Sequence, residues 1–219
     1  MKNDQQQLSL EFQQMVDEFF TVQCRYQSAI REVQTKLEIL DDEFQMKHKR
    51  NPIHHMQTRM KSIQSMMDKL RRRQEKVSIA SAVENLTDIA GIRVICSYIE
   101  DIYTVADLLT SQDDVRVVRV RDYIKQPKAN GYRSLHLVIE IPVFLAEGRI
   151  MVPVEVQIRT IAMDFWASLE HSLRYKAEGE VTEDISLELQ QIAEDIATLD
   201  QKMQRIHDRV DAMALARND

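Results

Sequence analysis

Apolar side chains recur at every third or fourth position over the first part of the chain, which is the spacing of one face of an α-helix. The series runs from Phe12 to Phe44, with one irregular step near Ile30. It predicts a long helix over residues 8–46. We expect this helix to end before Pro52, because a proline disfavours the helical conformation of the residue that precedes it.

A second apolar series near the C-terminus is more regular and predicts a helix from about Ser186 to Ala216. Its steps alternate between three and four without a break, as in a coiled coil. We call this series the C-terminal seam; its members are Leu189, Ile192, Ile196, Leu199, Met203, Ile206, Val210 and Met213. A seam of this kind packs on another helix, either the chain's own first helix or one from another subunit, and we favour another subunit.

Between these two helices, short apolar runs alternate with amphipathic segments, which predicts one α/β domain. The expected strands cover residues 53–61, 92–98, 115–120, 135–144 and 150–158. The expected helices cover residues 62–74, with Ser62 as the N-cap, 100–111 and 160–176. Residues 123–132 are expected to form a loop, residues 146–149 a turn and residues 177–180 a linker. Pro142 and Pro153 predict an edge position or a bulge in their strands.

The composition favours a soluble enzyme-sized chain over a secreted or membrane protein. The 219 residues suffice for one α/β domain and helical additions, and only four Gly and four Pro favour long helices over a many-turned β fold. Cys24 and Cys96 are expected to be free thiols in a reducing compartment. No apolar run approaches a membrane span and the N-terminus has no signal-peptide core, so we expect a cytoplasmic protein.

The charge is unevenly distributed along the chain. The net charge is -6, yet residues 47–76 hold ten Lys or Arg and two acidic residues. This asymmetry favours a local site for an anion over a surface that binds nucleic acid in general.

One predicted strand carries the first candidate for chemistry. In residues 150–158, Pro153, Glu155 and Gln157 alternate with apolar residues and therefore share a face. Asp88 precedes the strand over residues 92–98 and offers a second carboxylate. Two carboxylates from different strands, together with substrate phosphates, are typical of a Mg²⁺ site. The alternative for Asp88 is a capping residue in a turn that Gly91 makes tight.

The basic segment offers a candidate phosphate site. Arg59 and Lys61 would point the same way from an extended strand, and Ser65, Lys69 and Arg72 would share one face of the following helix. Such a face can bind a triphosphate, and Arg can stack on a base. A solvated helix face and an RNA-binding surface are the alternatives.

A third set of residues flanks the predicted loop. Tyr132 can stack on a purine, His136 shares its face if the chain is extended there, and Arg121 and Lys128 can meet phosphates. The alternatives are a rim aromatic for Tyr132 and a structural role for His136. The chain has neither a Walker A loop nor a dinucleotide fingerprint, so any ATP binds in another way.

Four segments in this order resemble the small alarmone synthetases, stand-alone relatives of the synthetase domain of the Rel/Spo proteins. The segments are Arg59-Met60-Lys61, Asp88-Ile89-Ala90-Gly91-Ile92-Arg93, Asn130-Gly131-Tyr132-Arg133-Ser134-Leu135-His136 and Glu155-Val156-Gln157-Ile158-Arg159-Thr160. The resemblance covers about residues 45–176. It implies a nucleotidyltransferase-like mixed β-sheet flanked by helices. It also implies transfer of pyrophosphate from ATP to the 3′-hydroxyl of GDP or GTP, giving AMP and ppGpp or pppGpp.

The resemblance also implies a role for each matching residue. Those expected to bind ATP are Arg59, Lys61, Ser65, Lys69, Arg72 and Arg93, with adenine between Arg59 and Arg93. Those expected to bind GDP or GTP are Arg121, Lys128, Tyr132, His136, Gln157 and Asp164. Asp88 and Glu155 are expected to hold Mg²⁺, and Glu155 also to accept the proton of the hydroxyl. The stretch between Arg73 and Asp88 is longer than the resemblance leads us to expect.

The resemblance implies three parts: a helical segment over residues 1–46, the synthetase domain over residues 47–178, and an oligomerisation helix over residues 179–219. It further implies a homotetramer, synthesis without hydrolysis, and for one branch activation by its own (p)ppGpp product. RNA is another possible effector. The competing function is a catalytically inactive regulator that binds nucleotide or RNA, which would have lost an acidic metal ligand. A purely helical assembly protein would leave the core motifs unexplained.

Overall fold

A computed structural model describes residues 2–48, 50–177 and 181–216. The chain forms six helices and five strands over these residues. In order they are α1 (Lys2–His48), β1 (Ile53–Met60), α2 (Ile63–Arg72), α3 (Ile79–Asn85), β2 (Ala90–Cys96), α4 (Ile99–Thr110), β3 (Arg116–Asp122), β4 (Leu135–Leu145), β5 (Gly148–Thr160), α5 (Ile161–Lys176) and α6 (Glu183–Leu215).

The predicted elements are confirmed apart from shifts of a few residues at their ends. Ser62 caps α2 as predicted, with its side chain accepting a hydrogen bond from the backbone N of Ser65. Helix α3 was not predicted: it fills part of the stretch between Arg73 and Asp88, and Ser78 caps it. Its seven residues are too few to show a helical period. Residues 178–180 of the expected linker, and the side chains of Phe12 and Met15, lie outside the described residues.

The five strands form one mixed sheet in the order β1-β2-β5-β4-β3. Only β2 and β5 pair in parallel; β1 with β2, β4 with β5 and β3 with β4 are antiparallel. Pro142 and Pro153 lie where their strands have one neighbour each, because pairing of β4 with β3 ends at Glu140 and pairing of β5 with β2 begins at Val154. The predicted edge positions are thus confirmed, and the pairing of β4 with β5 runs through both prolines without a bulge.

Helix α1 covers one face of the sheet and leaves the other face to the polar residues of β5. Ile30, Val33 and Leu37 of α1 are buried in the same core as Val154 and Val156. Because side chains alternate along a strand, Glu155 and Gln157 point to the opposite face. The alternation that predicted a half-buried strand therefore separates the core from the candidate site.

Helix α6 packs against α5 and α4, but not through the whole C-terminal seam. Its buried residues are Leu189, Ala193, Asp200 and Gln204. Six members of the seam are exposed by 45 to 57%: Ile192, Leu199, Met203, Ile206, Val210 and Met213. The rest of the described chain therefore leaves most of the seam uncovered.

Among the described residues, no helix combines the length and the apolar character that a membrane span requires.

Candidate active site

A cavity of about 350 Å³ opens on the face of the sheet that α1 leaves free. Its lining comes from β1, β2, β5 and the turns beside them: Gln57, Thr58, Arg59, Lys61, Asp88, Gly91, Ile92, Arg93, Glu155 and Gln157. The strand register brings these residues together. Gly91 lies between Arg59 on one neighbouring strand and Glu155 on the other, and Arg93 lies between Gln57 and Gln157. The missing side chain of Gly91 leaves the floor of the cavity open between a cation and a carboxylate.

Asp88 lies beside the cavity in the turn before β2, where two lysines hold one of its oxygens. Lys61 Nζ is 2.9 Å and Lys69 Nζ is 2.5 Å from Asp88 Oδ2. Burial acts to raise the pKa of Asp88, but the hydrogen bonds from Lys69 and Lys61 lower it overall. Asp88 Oδ1 is buried and has no hydrogen-bond partner in the structure. Asp88 is therefore an ionised carboxylate with one buried oxygen left to bind a further group.

Glu155 is the second carboxylate of the cavity. Gln157 Nε2 donates to Glu155 Oε2 at 2.8 Å, and His136 Nδ1 is 3.7 Å from Oε1. Burial acts to raise the pKa of Glu155, yet His136 and Gln157 lower it overall. The side chain is therefore ionised at neutral pH, as a metal ligand or proton acceptor must be.

The two carboxylates fit a hard divalent cation that takes its remaining ligands from a substrate. Mg²⁺ is usually bound by one or two carboxylates together with phosphate oxygens and water. Asp88 and Glu155 supply two such carboxylates on one cavity, and Asp88 Oδ1 is an oxygen without a partner. In the described part of the chain, no group of three or more His, Cys, Asp or Glu side chains is arranged to hold a metal. The donor set therefore suits a divalent cation such as Mg²⁺ that completes its coordination with phosphate oxygens and water.

Tyr132 lies at the centre of a cluster of cations and aromatic rings. Its hydroxyl is 2.7 Å from His136 Nε2, and Arg159 Nη2 donates to the same hydroxyl at 2.5 Å. Lys128 Nζ lies 4.6 Å and Arg159 Cζ 5.0 Å from the centre of the ring. Tyr123 meets the ring edge-on at 5.9 Å. His136 also approaches Glu155, so this cluster adjoins the carboxylate cavity.

Sequence reasoning gave no role to Arg159 and Tyr123, which the structure places in this cluster. Arg159 is only 4% exposed and bonds Gln157 Oε1 and Asp164 Oδ1, each at 3.1 Å. Its position in the sequence carried the signal, because Arg159 falls on the same strand face as Glu155 and Gln157. Tyr123 lies in the predicted loop, and its contact with Tyr132 depends on how that loop folds back.

The structure brings most of the predicted site residues together. Arg59, Lys61, Asp88, Arg93, Glu155 and Gln157 line the cavity, Lys69 bonds Asp88, and Lys128 and His136 contact Tyr132. Asp164 forms ion pairs with Arg159 and, at 3.3 Å, with Arg93.

Three predicted residues lie further out. Ser65 engages the cap residue Ser62, Arg72 is exposed and bonds the backbone of its own helix, and Arg121 is exposed beside Tyr123. Their predicted contacts with nucleotides remain predictions.

Comparison with known proteins identifies a matching family and a similar protein of known name. The model of the region found in RelA and SpoT proteins matches residues 58–180. The chain is 46% identical over 186 residues to GTP pyrophosphokinase YwaC of Bacillus subtilis, a match that covers 85% of this chain and 89% of that protein.

Two solved structures are also similar to this chain. Small alarmone synthetase 1 of Bacillus subtilis, bound to its product pppGpp, superposes with a TM-score of 0.78 at 38% identity and covers 84% of this chain and 94% of that one. The structure of small alarmone synthetase 1 from Bacillus subtilis bound to AMPCPP gives a TM-score of 0.76 at 33% identity, over 90% of this chain and 99% of that one.

Proposed function

The chain belongs to the RelA/SpoT family, and we propose that it is a (p)ppGpp synthetase that transfers pyrophosphate from ATP to the 3′-hydroxyl of GDP or GTP. The observation that carries this function is the pair of ionised carboxylates, Asp88 and Glu155, on one cavity beside the Tyr132 cluster. The cavity supplies cations and carboxylates that suit the phosphates and the metal ion of a phosphoryl donor. The cluster supplies an aromatic platform with cations for a second nucleotide.

ATP binds in this proposal on the β1 and β2 side of the cavity. Arg59 and Arg93 lie on neighbouring strands and both line the cavity, so their planar guanidinium groups suit the two faces of adenine. Lys61 and Lys69 bind the phosphates, which requires them to leave Asp88 for the nucleotide. Ser65 and Arg72 lie on the same helix as Lys69 and extend this site outward.

GDP or GTP binds against Tyr132. Guanine stacks on its ring, Asp164 faces the guanine edge, and Lys128, His136, Gln157 and Arg121 surround the rest of the nucleotide. One similar protein, small alarmone synthetase 1 of Bacillus subtilis, was solved once with pppGpp and once with AMPCPP, which supports the binding of both kinds of nucleotide by this fold. The closeness of His136 to Glu155 supports a binding mode in which the 3′-hydroxyl of a stacked guanosine lies near that carboxylate.

The reaction forms one P–O bond, breaks another and moves one proton. The 3′-oxygen attacks the β-phosphorus of ATP, the bond from that phosphorus to the α-phosphate oxygen breaks, and AMP leaves with the electron pair. Glu155 accepts the hydroxyl proton, and a general base contributes roughly 10²–10⁴-fold to such a rate. Asp88 and Glu155 would hold Mg²⁺, which when bound neutralises charge on the phosphates. Positioning of the two nucleotides supplies much of the remaining acceleration.

The finer features of this proposal concern assembly, location and regulation. We propose a homotetramer held by residues 179–219, because the exposed apolar stripe of the C-terminal seam is the kind of surface that marks an interface. The synthetase domain then spans residues 47–178, after the helical segment over residues 1–46. A cytoplasmic location suits the free thiols of Cys24 and Cys96. Regulation by (p)ppGpp or RNA belongs to the same proposal.

The test of the catalytic role is Glu155→Gln. The protein is incubated with ATP, Mg²⁺ and GDP or GTP, and the nucleotides are separated. The variant should stay folded and lose at least about 10²-fold of the rate, because it removes the charge that accepts the proton. Glu147→Gln, in the exposed turn between β4 and β5, is the matched control and should keep the wild-type rate. A rate near wild type for Glu155→Gln would rule out the assigned role.

A further inference from the structure

The loop that carries Tyr132 rests on helix α6. We call residues 128–134 the acceptor loop. Gly131 has a φ of 86°, and a Cβ added to it would lie 2.5 Å from the Cβ of Ala193 in α6. The loop backbone therefore approaches α6 at a point where only glycine fits, both because of the positive φ and because of the close contact.

Arg133 fastens this contact from the loop side. Its Nη1 donates to the carbonyl of Gly131 at 3.1 Å and to the carbonyl of Ala193 at 3.0 Å. The guanidinium group thus joins the turn of the loop to the N-terminal third of α6. Both acceptors are backbone atoms, so the contact depends on the position of the helix and not on a partner side chain.

The acceptor loop has its own hydrogen bonds, which depend on the same turn. Gly131 N donates to Lys128 O at 2.8 Å, Tyr132 N donates to Asn130 Oδ1 at 3.2 Å, and Lys128 N donates to Tyr132 O at 3.2 Å. Asn130 Nδ2 donates in turn to Glu170 of α5 at 3.1 Å. The direction of the Tyr132 ring is therefore fixed by a turn that is itself held against α5 and α6.

Helix α6 is in turn fixed to the domain near the same place. Trp166 Nε1 donates to the carbonyl of Leu189 at 2.9 Å, and Thr160 Oγ1 donates to Asp200 Oδ2 at 2.5 Å. Trp166, Leu189 and Ala193 are buried together, and Tyr132 packs against this small core. A shift of α6 would therefore move the support on which the loop rests.

We propose that Arg133 is a positioning residue for the acceptor nucleotide, acting by clamping the acceptor loop to Ala193 of α6 so that Tyr132 is oriented before GDP or GTP binds. This inference rests on the proposed function, since it takes Tyr132 as the guanine platform. It gives α6 a second role, because the helix that carries the exposed seam on one side supports the substrate loop on the other.

Arg133→Ala tests the clamp through two independent readouts. In the protein without nucleotide, amide hydrogen exchange of residues 130–133 should become roughly tenfold faster. The Kd for GDP should rise by roughly tenfold, or about 1.4 kcal/mol, while the Kd for AMPCPP and the kcat at saturating GDP stay within about twofold. Arg133→Lys, which can still reach one carbonyl, should show a loop exchange rate and a Kd for GDP between those of the wild type and Arg133→Ala. Arg205→Ala is the control, because Arg205 is exposed on α6 and donates to the carbonyl of Gln201 in its own helix.

The outcomes separate the clamp from other roles. Weaker GDP binding with unchanged loop exchange means that Arg133 touches the nucleotide directly, and this overturns the proposal. Unchanged exchange with unchanged GDP binding overturns it as well, as does faster exchange without a change in GDP binding. If the wild type makes no (p)ppGpp, the proposed function is wrong. Hydrogen exchange of residues 130–133 still tests whether Arg133 holds the loop against α6.

A second variant covers the case in which Arg133→Ala is less stable overall. Ala193→Val adds bulk from the helix side at the point where Gly131 approaches, and it leaves every residue of the acceptor loop unchanged. It should also speed loop exchange and weaken GDP binding with AMPCPP binding unchanged. Normal exchange and normal GDP binding in Ala193→Val would overturn the proposal.

Discussion

Replacing Tyr132 with alanine should weaken the binding of GDP much more than that of ATP. Base–aromatic stacking contributes roughly 1–3 kcal/mol. Lys128 and Arg159 lie over the free ring, and guanine must take the place of at least one of them, at a cost of about 0.5–1 kcal/mol of cation–π energy. Taken at the midpoints of these ranges, the difference is roughly 1.25 kcal/mol, so the Kd for GDP should rise by roughly eightfold.

Tyr132→Phe is the matched variant, because it keeps the ring and removes only the hydroxyl that bonds His136 and Arg159. Isothermal titration of both variants with GDP and with AMPCPP gives the comparison. The phenylalanine variant should keep most of the GDP affinity, and AMPCPP should bind all three proteins alike. Equal losses for both nucleotides, or a phenylalanine variant as weak as alanine, would refute Tyr132 as the guanine platform.

Three further predictions concern the donor site, stability and assembly. Arg59→Ala and Lys61→Ala should each raise the KM for ATP by roughly tenfold or more, with the KM for GDP little changed. Steady-state kinetics with both substrates varied measures this. An unchanged KM for ATP would indicate that Arg59 and Lys61 serve RNA binding instead. Burial raises the pKa of Asp200, so its protonated carboxyl group favours folding at a pH below the ordinary Asp pKa, and this stability is lost as the pH rises and the group ionises. Asp200→Asn should therefore gain stability over wild type in denaturant melts at pH 7 but not at pH 4, and equal differences at both would contradict the assignment. Leu199→Asp with Met203→Asp should lower the mass measured by light scattering, because both side chains are exposed in the seam, and an unchanged mass would place the interface elsewhere.

The sequence predicted the elements and the site face well where a period was visible. Alternation along β5 separated Val154 and Val156 from Glu155 and Gln157, and that separation is confirmed. Helix α3 was not predicted from the sequence, because a seven-residue helix has too few turns to show a helical period. The periodicity of apolar residues correctly predicted helix α6, but it did not reveal which face of α6 packs against the domain.

Ile196 shows the limit of that periodicity. It belongs to the regular seam, yet it turns towards the small core around Trp166, whereas Leu199 and Met203 stay exposed. Which face of a helix is buried depends on the elements that pack on it, here α5 and α4, and the spacing of apolar residues along the helix alone does not reveal those elements. The same holds for the approach of Gly131 to Ala193, which joins residues far apart in the chain.

The most direct test of the central claim follows the β-phosphorus of ATP. ATP labelled at that atom is incubated with the protein, Mg²⁺ and GDP. The products are then separated, and the position of the label within each product is determined. With GDP we expect unlabelled AMP and, in equal amount, a guanosine product that carries the labelled diphosphate on its 3′-oxygen. With 3′-deoxy-GDP we expect no labelled guanosine product. Labelled ADP, or label released as free phosphate while GDP is unchanged, would contradict it.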